Sequence, residues 1–444
     1  MKIFKRKIYN NLLSWKKKSS GSTALLIEGA RRIGKSTIVK EFAKREYSSH
    51  ILIDFTSAPN GIKELFEDTS DLNFLFLSLQ TAFHTKLTPR KSVIIFDEVQ
   101  FCPAARQAIK HLVEDGRYDY IETGSLISIR KNVKDILIPS EERKIRMRPL
   151  DFEEFLWAIN EPEVYGLVKE FYEEGHPLGQ AANRKLSRLF RLYMLVGGMP
   201  QSVQSFLSTN DFESTDRVKR DILSLYLSDF MKIDTTGTAS QIFEAVPSQL
   251  TSRASRYILS GIVGKKTQAP LLSLISEMRE SQTILVSYHA NDPGAGMSAH
   301  KDLSRFKLFL CDTGLLTTLM FKDRDFTEND LYQKLLADRL SANLGFLYEN
   351  ALAQILDSSG HELFYYTWQN KTSRHNYEID FLISRNNKIC PIEVKSSGYR
   401  QHTSLDLFSE KFSDRISHRY LVYTKDYARE GSLIYLPFYM APFL

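Results

Sequence analysis

The stretch Gly29-Ala-Arg-Arg-Ile-Gly-Lys-Ser36 decides the fold of the amino-terminal part of this chain. It satisfies the pattern GxxxxGK[ST] at every defined position, and it lies between an apolar run at residues 24–27 and a helical stretch at residues 37–45. Glycines let the backbone curl so that successive amide groups and a helix N-terminus face a phosphate. The pattern therefore predicts a phosphate-binding loop (P-loop) between a strand and a helix.

Two side chains of this loop have defined chemical roles. Lys35 is expected to reach the β- and γ-phosphates of ATP, and Ser36 is expected to give one oxygen to Mg²⁺. ATP and Mg²⁺ are accordingly the predicted cofactors. The predicted nucleotide-binding residues of the loop are Gly29, Ala30, Arg31, Arg32, Ile33, Gly34, Lys35, Ser36 and Thr37.

A second acidic element completes the predicted site. Ser92-Val-Ile-Ile-Phe-Asp-Glu98 is an apolar strand that ends in two carboxylates. Asp97 is expected to hold Mg²⁺, and Glu98 to activate the attacking water as a general base. A buried strand that merely ends in acidic loop residues is the alternative. Ser125, in Thr123-Gly-Ser, is either a sensor of the γ-phosphate or part of a simple turn.

Short apolar runs alternate with helical stretches up to about residue 150, which indicates α/β architecture with a parallel sheet. At Pro149 this alternation stops, and Asp151 with Glu154 predicts a capping box at the start of a helix. The predicted domains are a P-loop ATPase domain at 1–150, a helical lid at 151–235, a winged-helix-like module at 236–335 and a compact α/β unit at 336–444.

Composition narrows the class of protein. A hydrophobic fraction of 43% and a charged fraction of 25% are typical of globular proteins. The net charge of +6 permits a nucleic-acid partner without requiring one. No apolar run approaches the ~20 residues that span a bilayer, so no membrane partner is expected. Three scattered cysteines fit neither a disulfide framework nor a zinc site, which favours the cytoplasm.

A hairpin near the carboxyl end carries a second candidate site. Asn386-Asn387 indicates a two-residue turn, which places Asp380 opposite Glu393 and Glu378 opposite Lys395. Facing carboxylates repel each other, and a divalent metal held by Asp380 and Glu393 would relieve that repulsion. Glu349 on the preceding helix completes the predicted metal site, and Lys395 would polarise a water molecule. The alternative is a surface hairpin with a Glu378–Lys395 ion pair.

With these motifs the sequence resembles prokaryotic AAA+ ATPases that carry a carboxy-terminal domain resembling PD-(D/E)xK nucleases. The resemblance implies a restriction-endonuclease-like last domain, with Asp380 at the acidic position, Glu393 and Lys395 as its ExK, and Glu349 as the helical carboxylate. Ile379 departs from the proline of the family pattern. The motifs that carry the resemblance are GARRIGKST (29–37), IIFDEVQ (94–100), ETGS (122–125), PLDFEEFL (149–156), GGMP (197–200), FKLFLCDTGLL (306–316), EIDFLI (378–383) and PIEVKSS (391–397).

Two functions remain open at this point. The first is an ATPase that couples hydrolysis of Mg-ATP to binding, remodelling or cleavage of DNA, with Arg143, Arg146 or Arg148 as an arginine finger if copies form a homo-oligomer. The second is a nucleotide-dependent switch that acts on protein partners and whose nuclease-like domain is inactive. A transporter ATPase is disfavoured because no LSGGQ-like signature precedes the acidic strand.

Overall fold

A computed structural model describes residues 3–124, 140–252, 256–259, 268–294, 296–324, 327–337, 345–370 and 376–444, without the side chains of 268 and 269. The chain divides into two compact units. The first comprises Met1–Arg148 with Glu280–Gln282, and the second comprises Pro149–Arg279 with Thr283–Leu444. Among the described residues, no helix has both the length and the apolar composition that crossing a membrane requires.

The first unit contains the predicted parallel sheet. Its strand order is β2-β3-β4-β1-β5, and every recorded pairing is parallel. The strands are β1 (Ala24–Glu28), β2 (Ser49–Asp54), β3 (Ser92–Asp97), β4 (Asp119–Gly124) and β5 (Glu142–Arg146). The helices are α1 (Ile8–Lys18), α2 (Lys35–Glu46), α3 (Asn60–Glu64), α4 (Leu72–Ala82) and α5 (Pro103–Asp115), with a short 3₁₀ turn at Val99–Phe101.

Burial explains why these elements form where they do. All residues of β3 and β4 are buried, as expected for central strands of a sheet covered on both faces. Helix α5 has proline at its first turn and ends at Gly116, whose φ of 71° is left-handed. Its buried residues at 105, 108, 109 and 112 follow helical spacing and pack on the sheet.

The second unit begins with a helical region. The predicted capping box is confirmed, because the Asp151 carboxylate accepts from the Glu154 amide and the Glu154 carboxylate accepts from the Asp151 amide. The helices are α6 (Phe152–Ala158), α7 (Val164–Glu174), α8 (Gln180–Val196), α9 (Pro200–Thr209), α10 (Phe212–Ile233), α11 (Thr238–Glu244), α12 (Val246–Thr251), α13 (Gln268–Glu280), α14 (Thr313–Met320) and α15 (Asn329–Leu336).

The GGMP segment makes a close backbone contact inside this unit. A Cβ at Gly198 would lie 2.1 Å from the Leu150 carbonyl oxygen, so only glycine fits there. The Gly198 amide donates to the buried Asp312 carboxylate at 2.5 Å, and Asp312 also caps α14 through the Leu315 amide. The motifs at 197–200 and 306–316 thus pack against each other, which gives both a structural role.

An eight-stranded sheet completes the second unit, in the order β12-β13-β11-β10-β9-β8-β6-β7. The strands are β6 (Ile284–Ala290), β7 (Lys301–Leu310), β8 (Phe364–Trp368), β9 (Tyr377–Arg385), β10 (Lys388–Lys395), β11 (Arg419–Tyr423), β12 (Ala428–Glu430) and β13 (Leu433–Pro437). The remaining elements are α16 (Gly345–Ser358), α17 (Thr403–Lys411) and 3₁₀ turns at Met297–His300, Ser413–Arg415 and Phe438–Phe443.

The strands of this sheet lie on both sides of the predicted domain boundary between residues 335 and 336. Strands β6 and β7, which we assigned to a separate winged-helix-like module, pair into the same sheet as β8 to β13. The join is the parallel pairing of β6 with β8 at Tyr288↔Phe364 and His289↔Tyr365. Periodicity along the sequence does not reveal a pairing between strands this far apart.

The predicted register of the hairpin between β9 and β10 is confirmed from Arg385↔Lys388 to Phe381↔Ile392. Asn386 has the left-handed φ of 55° that such a turn requires. Beyond Ile392, β10 continues alongside β11, and the recorded pairing with β9 ends.

Candidate functional sites

The loop between β1 and α2 contains residues 29–34 of the predicted nucleotide-binding set. Arg32 and Gly34 both have left-handed backbones, with φ of 68° and 93°. Lys35, Ser36 and Thr37 form the first turn of α2. Helix geometry directs the amides of this turn toward the loop, where the positive end of the helix dipole favours an anion. The loop therefore has the curled backbone that phosphate binding needs.

Gly29 is held against the end of β5. A Cβ at this position would lie 2.4 Å from the Met147 carbonyl oxygen and 2.3 Å from Ile33 Cδ1. The Met147 amide in turn donates to the Glu28 carbonyl at 2.8 Å. Any side chain at Gly29 would force the loop away from this strand.

We therefore expect Gly29→Ala to lower the free energy of unfolding by about 1–3 kcal/mol and to weaken nucleotide binding. Thermal unfolding and calorimetry with ADP would measure the two effects. Gly61→Ala is the matched control, since nothing lies within 4 Å of a Cβ at Gly61 in α3. Unchanged stability and affinity in Gly29→Ala would show that the loop tolerates displacement.

Lys35 is only 5% exposed and lies folded over the loop. Its ammonium group donates to the carbonyl oxygens of Gly29 and Ala30, both at 3.0 Å. A phosphate that enters the loop would come close to this positive charge. The role of Lys35 in binding the β- and γ-phosphates stays a prediction.

Ser36 and Asp97 meet at the carboxyl end of β3. The Ser36 hydroxyl donates to the Asp97 carboxylate at 2.8 Å, and the Thr123 hydroxyl donates to the same oxygen. Hydroxyl and carboxylate oxygens are hard ligands that suit Mg²⁺, so these residues fit the predicted metal. Thr123 comes from β4, and it holds Asp97 in orientation toward the loop.

Glu98 directly follows β3 in a left-handed conformation, with φ of 54°. Its amide donates to the Thr123 hydroxyl at 3.2 Å, and its carboxylate accepts from the Gln100 side chain. Glu98 therefore lies next to Asp97 and Thr123, at the same edge of the sheet as the loop. The predicted sensor Ser125 lies outside the described residues.

Arg6 supports the loop, and the sequence analysis did not identify it. Its guanidinium is buried, and it donates to the Ile33 carbonyl at 3.0 Å and to the Arg148 carbonyl at 2.6 Å. It thereby links the loop to the chain after β5. No local sequence signal identifies this contact, because its partners lie 27 and 142 positions away.

Glu122 is adjacent to Thr123 in the sequence, but its side chain lies in a different environment. Burial, followed by the charge of Glu142, raises its pKa well above the usual carboxyl range. Glu142 itself accepts from Arg106 of α5 through contacts of 3.0 to 3.1 Å. Because side chains alternate across a strand, Glu122 points to the α5 face and away from Asp97. It is therefore a core group and no part of the nucleotide site.

A cleft of about 660 Å³ in the second unit contains the other predicted residues. Its lining residues include Glu349 of α16, Asp380 of β9, and Glu393 with Lys395 of β10. Lys307 of β7 and Glu378 of β9 also line it. The hairpin and the helix thus direct all four predicted side chains to one cavity.

Glu393 is the most buried acid of the cleft. Burial raises its pKa, although Lys395 lies 2.8 Å from one carboxylate oxygen. The other oxygen, Oε2, is buried and has no hydrogen-bond partner among the described residues. Asp380 accepts from the Val394 amide at 2.7 Å. A buried oxygen in this state is suited to a cation.

The predicted metal ligands are only partly brought together. In the described part of the chain, no three histidine, cysteine or acidic side chains converge closely enough to hold a metal ion. Glu349, Asp380 and Glu393 nevertheless line the same cleft, and their joint role as metal ligands stays a prediction. Asp380, Glu393 and the Val394 carbonyl remain the oxygen set that fits a divalent cation best.

The alternative Glu378–Lys395 ion pair is not formed either, since Lys395 pairs with Glu393 and Glu378 pairs with Lys307. Burial lowers the pKa of Lys307, but the negative charges of Glu378, Glu349 and Asp380 outweigh this effect. The pKa of Lys307 is therefore raised. Sequence reasoning missed Lys307 because it belongs to a strand far from the hairpin.

Three solved structures illustrate the similarity of this chain to known proteins. The Walker-type ATPase PABY2304 of Pyrococcus abyssi is 16% identical, with 71% of this chain and 96% of that chain aligned, at a TM-score of 0.42. PCH-2 of C. elegans is 15% identical, with 39% of this chain and 49% of that chain aligned, at a TM-score of 0.23. The STAND protein PH0952 of Pyrococcus horikoshii has a tetratricopeptide repeat sensor. It is 11% identical, with 81% of this chain and 46% of that chain aligned, at a TM-score of 0.27. The chain spans about half the length of the last two, and scores this low do not establish a shared overall fold.

Family models cover three segments of the chain. No curated protein matches the sequence. Residues 187–325 match a domain of unknown function (DUF8612), and residues 344–439 match another (DUF4143). Residues 21–156 match the AAA domain model, and this segment contains the loop at 29–37 and the acidic end of β3. This match, together with the P-loop sequence, supports ATP binding and ATPase activity of the amino-terminal part of the chain.

Proposed function

We propose that this protein hydrolyses Mg-ATP in its amino-terminal domain and uses that energy to bind, remodel or cleave DNA through the carboxy-terminal cleft. The observation that carries the ATPase part is the convergence of Lys35, Ser36 and Asp97 at one end of a parallel sheet. This arrangement supplies a cation and two hard oxygens beside a helix N-terminus, which is the chemistry that phosphoryl transfer uses.

Each residue of the nucleotide site has a distinct proposed task. Lys35 would leave the carbonyls of Gly29 and Ala30 and bind the β- and γ-phosphates. Ser36 and Asp97 would hold Mg²⁺, which neutralises developing charge on the phosphates when it is bound. Glu98 would exchange its contact with Gln100 for the attacking water and accept its proton. Thr123 would keep Asp97 oriented throughout.

The nucleic-acid part of the proposal rests on the carboxy-terminal cleft. The order α16, β8, β9, β10, α17, β11 places Asp380 and Glu393 on neighbouring strands, and both residues line the cleft. Such a pair of carboxylates fits a divalent cation, and Lys395 fits the role of polarising a water molecule. ATPase and nuclease assays of the purified full chain with a panel of DNA forms test both parts together.

If the cleft cleaves DNA, Lys395→Ala is expected to abolish Mg²⁺-dependent nicking, a loss of roughly 100-fold or more. Conversion of supercoiled plasmid to open circles would measure it. Lys388→Ala is the matched control, because Lys388 lies exposed at the other end of β10. Nicking that persists in Lys395→Ala would assign cleavage to a different site or a contaminant.

A second candidate is a nucleotide-dependent switch that acts on protein partners and does not cut nucleic acid. One observation favours it: Lys307 and Lys395 form ion pairs with Glu378 and Glu393, and they thereby neutralise two carboxylates of the cleft. Under this candidate, Asp380→Asn leaves the nucleotide-dependent action on the protein partner unchanged, while Lys35→Ala removes it. An activity lost in both variants would favour the nucleic-acid function.

A further inference from the structure

The Glu98 carboxylate is bound by a side chain two residues further along the chain. Glu98 is followed by the 3₁₀ turn Val99–Phe101, and the side-chain amide of Gln100 in this turn donates to Glu98 Oε2. Gln100 is only 1% exposed, so water competes little for its hydrogen bonds. The proposed base of the nucleotide site therefore has an amide donor on one of its two carboxylate oxygens.

The backbone around this contact is held in place. The Glu98 amide donates to the Thr123 hydroxyl at 3.2 Å, and the Glu98 carbonyl accepts from the Phe101 amide at 3.1 Å. The turn leads directly into α5, which packs on the sheet. Glu98 and Gln100 can therefore separate by rotation of their own side-chain bonds, without any change in the backbone.

The strength of this hydrogen bond depends on the charge of Glu98. Hydrogen bonds to an ionised carboxylate are roughly twice as strong as those between neutral groups. In the proposed reaction, the water oxygen bonds to the γ-phosphorus, the β–γ bridging oxygen leaves with ADP, and Glu98 takes one proton from the water. The carboxylate loses its negative charge in this step, so the hydrogen bond from Gln100 weakens as the step proceeds.

A contact that is stronger in the ground state than in the transition state raises the barrier of the reaction. We infer that Gln100 is a positioning residue that slows ATP hydrolysis by keeping the Glu98 carboxylate hydrogen-bonded to the 3₁₀ turn. This inference rests on the proposed function and assigns a regulatory residue to its nucleotide site. The chain by itself is therefore expected to hydrolyse ATP more slowly than its site allows.

Gln100→Met tests the inference, because it removes the donor and keeps a buried side chain of similar length. We expect this variant to raise kcat for ATP hydrolysis about fivefold, which reflects the difference in strength between a charged and a neutral hydrogen bond. The KM for ATP and the affinity for ADP should stay near the wild-type values, since Gln100 has no proposed contact with the nucleotide. Steady-state phosphate release and calorimetry with ADP measure these quantities.

Two further variants identify the cause of a faster rate. In the background of Glu98→Gln, which has no carboxylate to protonate, Gln100→Met should leave the residual rate unchanged. Gln80→Met is the matched control, because Gln80 of α4 is a half-buried glutamine that donates to the Phe76 carbonyl and accepts from the Leu87 amide. It should lower the melting temperature without raising kcat.

Gln100→Ala should give the same increase in kcat as Gln100→Met, and it replaces that variant if Gln100→Met does not fold. A kcat at or below the wild-type value in the folded variant would overturn the inference. If Glu98→Gln is inactive in the same assay, the proposed ATPase function still stands. Wild-type protein that hydrolyses no ATP, or Glu98→Gln that is as fast as the wild type, would instead remove the proposed role of Glu98 and the inference with it.

Discussion

Lys35→Ala is expected to abolish ATP turnover and to weaken ATP binding by about 100-fold, or about 3 kcal/mol. The ammonium group is buried over the loop, where it contacts two carbonyl oxygens. Alanine removes the charge, and bound phosphates then face the loop without a cation in a poorly solvated setting. Calorimetry with Mg-ATP and a phosphate-release assay would measure both losses.

Lys40→Ala provides the control for this variant, because Lys40 lies on the same helix with its side chain in solvent. It removes an identical charge from α2 without touching the loop. Turnover and affinity should stay near the wild-type values. Lys35→Ala that binds and hydrolyses ATP like the control would contradict the nucleotide site.

Glu98→Gln is expected to bind ATP normally and to hydrolyse it about 100- to 10,000-fold more slowly. Glutamine keeps the size of the side chain and its capacity for hydrogen bonds, but it cannot accept a proton from water. The adjacent Asp97 keeps its contacts with Ser36 and Thr123. Single-turnover hydrolysis combined with nucleotide binding would separate the two effects.

Glu64→Gln, an exposed position in α3, is the matched acid-to-amide control for Glu98→Gln. It should hydrolyse ATP at the wild-type rate. If Glu98→Gln does the same, another group activates the water, and Glu98 has only a structural role next to β3.

The parts of the fold that could be predicted from sequence are those fixed by local chemistry. The loop at 29–36 is defined by steric demands on Gly29 and Gly34, and the hairpin at Asn386 by the left-handed turn residue. The buried strands β3 and β4 appear as apolar runs because both their faces are covered. Each of these signals lies within a few residues of the element it predicts.

The parts that could not be predicted depend on contacts between distant residues. Strand β5 has the charged sequence ERKIR and is only partly buried, so it lacks an apolar pattern. Arg6 and Lys307 contact partners that lie far away in the sequence. The same holds for β6, which joins β8 through a parallel pairing that no periodicity marks.

The pairing of β6 with β8 also determines how this protein can be divided for biochemical work. A fragment that starts near residue 336 would leave one side of β8 with bare amide and carbonyl groups. Exposed strands of that kind template intermolecular pairing, so the fragment is expected to aggregate. A fragment that starts at Pro149 contains the second compact unit and retains β6 and β7 beside β8, so we expect it to stay soluble where the shorter fragment aggregates.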